Sequence, residues 1–354
     1  MQSLSSRIRL AEREFQRSVI EINPFIMKEV KEKSRELMCF GVKDTNQIPE
    51  SYIKRLQQDM RFAWLTIDKS SNMGRAIDTD LINPLTYKVM TGSTSGGPIN
   101  ILKGINDFAL GTDGGGSVLG PAMSCQLPSI IGAGTNLLVK STKVSTDQLE
   151  FKGSIGVIAK RVSILKKVME CMLDQKLHSK NETLKIIIPK KDSLIRPDGI
   201  DMHEKLIEQI SMINEKYQIV EVDMNGVDDR KTGIDLINMC FHDNNADLVI
   251  TFEGPIDIYG YGETIPQAFG ETGKSLTRNH GKYLLRAANM AGTTAVTVPS
   301  NILASGFVII AKKGIANCGK ALAMANQLEK TINLPEVWRR YYLDHGQQFS
   351  GLSF

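Results

Sequence analysis

Gly111-Thr112-Asp113-Gly114-Gly115-Gly116-Ser117 is the heptapeptide on which the reading of this chain turns, together with Thr91-Gly92-Ser93-Thr94-Ser95-Gly96-Gly97 upstream of it. Four glycines in seven residues do not suit a strand or helix interior, where glycine costs conformational entropy and buries nothing. They suit backbone that must approach another group closely or aim several N–H groups one way. Gly114, Gly115 and Gly116 stand directly before Ser117. If Ser117 attacks a carbonyl carbon, N–H groups from Gly114 to Ser117 would sit where the oxyanion develops. A phosphate-cradling loop would carry G-K-[ST] or G-x-G-x-x-G, and neither spacing is present. The heptapeptide alone does not choose between a plain tight turn and a site.

A serine nucleophile needs a base. The five histidines, His178, His203, His242, His280 and His345, lie near no compact Asp or Ser motif, so a Ser-His-Asp arrangement has no support in the spacing. A lysine serves when desolvation and its neighbours lower its pKa. Lys43 follows the apolar step Cys39-Phe40-Gly41-Val42, of the kind that ends a buried strand. Taken singly it is one of 43 Lys and Arg residues, most of which would be solvated.

The ordered set V-K-D, G-S-T-S-G-G and G-T-D-G-G-G-S followed by P-A and a cysteine resembles the amidase signature family. Further segments extend the resemblance over most of the chain. They are the I-N-P-F-I-M-K-E-V stretch near the N-terminus, Asn83-Pro84, G-S-I-G-V-I-A-K-R from Gly153 to Arg161, N-M-A-G-T-T-A-V-T-V-P from Asn289 to Pro299, and the late G-F-V-I-I-A-K-K. The resemblance implies an α/β fold, a central mixed twisted sheet covered by helices on both faces. It implies amidase activity through a Ser–cis-Ser–Lys triad. Ser117 would accept the acyl group, Ser93 would bridge after a cis peptide, and Lys43 would be the neutral general base. The N–H groups of Gly114, Gly115, Gly116 and Ser117 would form the oxyanion hole, with Thr94, Ser95 and Asp113 in support. A different gap placement would put Thr94 on the bridging position. Ser93 keeps the family's spacing to the nucleophile. Two departures stand out. Leu119 replaces the arginine usual two residues after the nucleophile, and Gly114 replaces a residue that often has a side chain.

With 354 residues, 42% apolar and 23% charged, the chain can build a large core and fits an ordinary globular protein. A net charge of +4 argues for neither nucleic acid nor an anionic membrane as partner. The five scattered cysteines hold no C-x-x-C pair, which points away from a zinc site or disulfide framework and toward reduced thiols and a cytoplasmic location. No apolar run reaches spanning length and the N-terminus has no apolar signal core. Neither a metal nor an organic cofactor is implied. The expected partner is a small-molecule amide, and the oligomeric state stays open, a homodimer included.

Residues 5–38 read as two helices, within an N-terminal helical segment, 1–40, packed on a single catalytic domain that spans 1–354. Pro49 opens a helix, Phe62 to Ile67 reads as a strand, Pro98 to Leu102 as a buried helix, and Phe108 to Leu110 as the strand delivering the heptapeptide. Pro121 begins a short helix. Beyond it strands and helices alternate: Leu184–Pro189, Glu204–Lys216, Ile219–Val222, Asp235–Phe241, Leu248–Phe252, Asn301–Ile310 and Cys318–Leu328, an α/β pattern. Gly254 to Lys274 is the most loop-like stretch, where Tyr259 and Tyr261 either line a channel or pack. The V-D-D-R-K run from Val227 reads as a solvated turn.

Three functions remain. One is an amidase acting on linear amides. The second is an acyl-transfer or amidotransferase enzyme of the same kind. The third is a non-catalytic binding protein on that fold, for which Leu119 is the hint.

Overall fold

The computed structural model of the protein describes residues 3–34, 36–145, 148–178, 183–213, 215 and 217–344. Fourteen strands are seen among them: β1 Val19–Ile22, β2 Met38–Lys43, β3 Phe62–Asp68, β4 Ile77–Ile82, β5 Val89–Thr91, β6 Phe108–Asp113, β7 Ser129–Ile131, β8 Leu138–Val144, β9 Glu150–Ala159, β10 Lys185–Pro189, β11 Gln218–Val222, β12 Leu248–Glu253, β13 Thr294–Pro299 and β14 Gly306–Ala311. Twelve of them make one sheet in the order β1-β3-β2-β6-β9-β7-β13-β14-β12-β10-β11, with β8 on β9; β4 and β5 form a separate hairpin. The sheet is mixed. The pairs β2–β3, β2–β6, β10–β11 and β10–β12 are parallel and the remaining pairs antiparallel.

Strands with both faces covered read as continuous apolar runs. Phe108-Ala109-Leu110 and Val249-Ile250 are of this kind and fully buried. Phe40 stacks on Phe108 with centroids 5.1 Å apart, and Phe62 meets Phe108 edge-on at 5.3 Å. Each such buried ring contributes on the order of 2–3 kcal/mol. This cluster clamps together β2, β3 and β6, which deliver Lys43 and the glycine-rich loop.

The helices are α1 Leu4–Arg13, α2 Ile26–Glu29, α3 Glu50–Gln58, α4 Gly96–Leu102, α5 Leu119–Ser124, α6 Val162–Leu173, α7 Met202–Ser211, α8 Arg230–His242, α9 Gly270–Thr277, α10 Ile315–Thr331 and α11 Glu336–Trp338. Among the described residues none is long and apolar enough to cross a membrane. Both α4 and α5 are buried along their whole length. Helices form at Pro49, Pro98 and Pro121, and the later strands and helices follow in the expected order. However, α5 begins at Leu119, and β14 begins at Gly306 and not at Asn301. Helix α7 ends at Ser211, short of the expected Lys216, which itself lies outside the described residues.

The N-terminal segment is a correction. Of the two helices expected before residue 38, only α1 forms as a full helix. Ile20 belongs to β1, which pairs antiparallel with β3, and α2 is a single turn. Val-Ile-Glu-Ile carries β-branched side chains that fit a half-covered sheet edge, and the sheet's pairing outweighs a helical spacing of apolar residues. The segment is held through Asp107. Its carboxylate accepts from Arg7 Nη2 at 3.0 Å, Lys160 Nζ at 3.2 Å and the Cys39 backbone N–H at 2.9 Å.

Candidate active site

Lys43 is the last residue of β2, and Ser93 follows β5 by two residues. The Lys43 Nζ donates to Ser93 Oγ at 2.7 Å and to Thr112 Oγ1 at 3.0 Å. Lys43 and Ser93 are each only 5% exposed. Burial is the main cause that brings the Lys43 pKa down to about 7; the Lys143 charge lowers it further and Asp113 opposes. A lysine without a carboxylate hydrogen-bonded to it, in low dielectric, gives up its proton readily.

Ser93, not Thr94, faces the lysine. The Thr94 side chain packs where a Gly111 Cβ would lie, and its hydroxyl is buried with no partner among the described residues. The Thr94 N–H donates to the Ser117 carbonyl at 3.2 Å, joining the two serine loops through their backbones. Ser95 turns the other way, donating to Asp78 Oδ2 at 2.6 Å and to the Lys69 carbonyl at 3.3 Å. Gly92 is left-handed at φ 72°, and the Pro121 ring lies 2.5 Å from where its Cβ would be. Only glycine fits that turn and that approach. The expected cis peptide before Ser93 is not present: the Gly92–Ser93 bond is trans, and among the described residues the cis bond is Gly254–Pro255. A non-proline cis bond costs about 3 kcal/mol, and the positive φ of Gly92 turns the chain without it.

Ser117 sits half-buried in the turn between β6 and α5, two elements buried in the core. Its hydroxyl is not hydrogen-bonded to Ser93 in this state. Asp113 shapes the loop: its carboxylate accepts N–H bonds from Gly116 at 2.8 Å, Val118 at 2.6 Å and Leu119 at 3.3 Å. Burial raises the Asp113 pKa and these donors oppose the rise. The Gly116 N–H is therefore committed to Asp113 and drops out of the expected oxyanion set. The N–H groups of Gly114, Gly115 and Ser117 make no hydrogen bond with described residues. Gly114 has a local reason to lack a side chain: the Phe151 ring of β9 lies 2.1 Å from where its Cβ would be. Leu119 is fully buried in the main core, so the position of the missing arginine is apolar here.

Lys43, Ser93, Thr112, Asp113, Gly114, Gly115 and Ser117 open into one cleft of about 850 Å³. Among the described residues no cluster of His, Cys, Asp or Glu could hold a metal ion. Several cleft residues carried no warning in the sequence. Arg230, read as part of a solvated turn, begins α8 behind the Asp229 cap and reaches to 3.3 Å from an added Gly115 Cβ. Gly262 to Ile265 line the cleft, whereas Tyr259 and Tyr261 do not. That loop is fastened by Lys282, whose buried Nζ donates to Asp257 Oδ2 at 2.6 Å and to Thr91 Oγ1 at 2.9 Å. Thr112 could have been found from its place beside Asp113 in the heptapeptide.

The protein has the fold of the amidase-signature enzymes. A crystal structure described as an amidase superposes with a TM-score of 0.66 at 13% identity, covering 93% of this chain and 95% of the other. The peptide amidase of Stenotrophomonas maltophilia gives 0.64 at 15% identity over 94% and 93%. The 6-aminohexanoate cyclic dimer hydrolase bound to its substrate gives 0.60 at 11% identity over 95% and 94%. No protein-family model and no curated protein matches the sequence.

Proposed function

We propose that the protein is an amidase that hydrolyses a linear carboxylic amide through an acyl-enzyme on Ser117. The observation that carries this reading is the buried Lys43–Ser93 contact at 2.7 Å, opening into the cleft that holds Ser117. A buried lysine between two hydroxyls has no structural purpose that a smaller polar residue would not meet. As a proton acceptor it has one. The fold shared with amidases and amide hydrolases supports the same class of chemistry.

In the proposed reaction neutral Lys43 takes the proton of Ser93 while Ser93 takes the proton of Ser117. The Ser117 Oγ forms a bond to the carbonyl carbon. The resulting oxyanion is met by N–H groups of Gly114, Gly115 and Ser117. Collapse breaks the C–N bond, and the proton held on Lys43 returns through Ser93 to the leaving amine. Water then adds to the acyl-enzyme, giving its proton to the same relay, and the carboxylic acid leaves as Ser117 regains its proton. Asp113 accepts N–H bonds from the loop and is a positioning residue. Rotation of the Ser117 side chain toward Ser93 completes the relay when substrate binds, since such bonds commonly tighten only in the complex.

Intact mass after exposure to a small fluorophosphonate tests the reading. One adduct on the wild-type protein, lost in Ser117→Ala, is expected. A folded wild-type protein that takes up no adduct would overturn it.

A further inference from the structure

The floor of the cleft is polar, and its mouth mixes exposed polar residues, Asp44, Asn72 and Lys143 among them, with exposed apolar ones. Met73, Ile265, Val144 and Ile20 all line the opening, and all are exposed, Met73 to 96% and Ile265 to 51%. Single exposed hydrophobes need no explanation; several around one opening do.

Met73 is held there. It adopts a left-handed backbone at φ 53° within the turn Asn72–Gly74, a conformation that non-glycine residues other than Asn and Asp rarely adopt. The turn is braced on the relay itself: the Ser71 N–H donates to the Ser93 carbonyl at 3.3 Å, and Ser71 Oγ donates to the Arg75 carbonyl at 2.7 Å. Arg75 Nε then donates to Glu263 Oε2 at 3.2 Å. The other oxygen of Glu263 accepts from the N–H groups of Thr264 at 2.9 Å and Ile265 at 3.3 Å. One carboxylate thus ties the Met73 turn to the Ile265 loop and holds the backbone of both at the same opening. The same pairing neutralises Arg75, and Lys69 on the wall is paired with Asp80 at 2.9 Å. Beside the polar Asn72 and Thr264, these two loops offer a substrate the hydrocarbon surface of Met73 and Ile265.

We infer that the amide substrate carries an extended apolar substituent that leaves the cleft across the Met73–Ile265 rim, and that these two residues set substrate specificity. This rests on the Ser117 hydrolase reading. A fully buried methylene is worth about fourfold in rate and a half-covered one about twofold. Labelling of Ser117 by methyl, butyl and octyl fluorophosphonates should therefore accelerate by on the order of a hundredfold from methyl to octyl. In Met73→Asn/Ile265→Ser, where Asn tolerates the left-handed backbone, that ratio should fall to about tenfold or less. An octyl reagent ending in a carboxylate should react more slowly than plain octyl. A methyl-to-octyl ratio within about threefold, an unchanged ratio in the double variant, or faster reaction of the carboxylate reagent would overturn the inference and leave the hydrolase reading standing. Absence of labelling by every reagent would remove the hydrolase reading and this inference with it.

Discussion

Lys43 gives the sharpest test of the proposed chemistry. Its pKa falls from the usual 10.5 to about 7, mainly because burial disfavours the ammonium and secondarily because Lys143 stands near. That lowering corresponds to about 5 kcal/mol in favour of the neutral amine. At pH 7 roughly half of the molecules would carry a competent base, against about one in three thousand for an unperturbed lysine. The sign follows. Below about pH 7 Lys43 is protonated and cannot accept, so the second-order labelling of Ser117 should fall about tenfold per pH unit; above it the rate should level off. Stability is linked the other way round from a salt-bridged lysine. The unfolded chain binds the extra proton between about pH 7 and 10.5, so this group's share of stability should rise with pH across that window and be flat below it. Lys43→Met keeps the apolar stem and removes the base, and labelling should drop by about 10²–10⁴ with circular dichroism unchanged. The assay is the rate of adduct formation by intact mass from pH 5 to 10. A flat profile, an inflection near 10, or wild-type labelling by folded Lys43→Met would refute the reasoning.

Three other outcomes are expected. Gly114→Ala drives a Cβ into the Phe151 ring and should cost about 1–3 kcal/mol in urea unfolding, with Phe151→Leu recovering part of the loss; additive effects of the two changes would count against the contact. Lys282→Met leaves Asp257 buried without its cation and should cost about 3–5 kcal/mol, whereas Lys282→Met/Asp257→Asn should cost less than the single change. Asp68 is fully buried, with one oxygen lacking a partner among the described residues, and burial raises its pKa from 3.8 to about 7. Its contribution is present below about pH 4 and lost as pH rises to about 7, up to about 4 kcal/mol, so urea midpoints of Asp68→Asn should vary less over that range than those of the wild type.

The sequence by itself determined the parts of the site that depend on local backbone chemistry. The glycines before Ser117, the apolar run ending at Lys43 and the 24-residue spacing of Ser93 and Ser117 were readable because glycine content and short apolar runs constrain the chain within a few residues. The strands that stack Phe40, Phe62 and Phe108, and Pro49, which opens α3, were readable for the same reason. What only the tertiary structure decided is what arrives from far away. That Ser93 rather than Thr94 meets Lys43 depends on how β2 and the loop after β5 are stacked, and spacing leaves the choice open. Asp113 taking the Gly116 N–H, three residues on, is the local exception: glycine content leaves open which way that N–H points. Phe151 explains Gly114, Arg75 and Glu263 brace the cleft mouth, and Lys282 ties the loop at Asp257 to Thr91, 191 residues away from the lysine along the chain. Residues 19–22 joined the sheet against their helical spacing because an open edge of β3 was there to pair with. Long-range pairing and burial depend on which surfaces the folded chain brings together, and no local window of sequence contains that information.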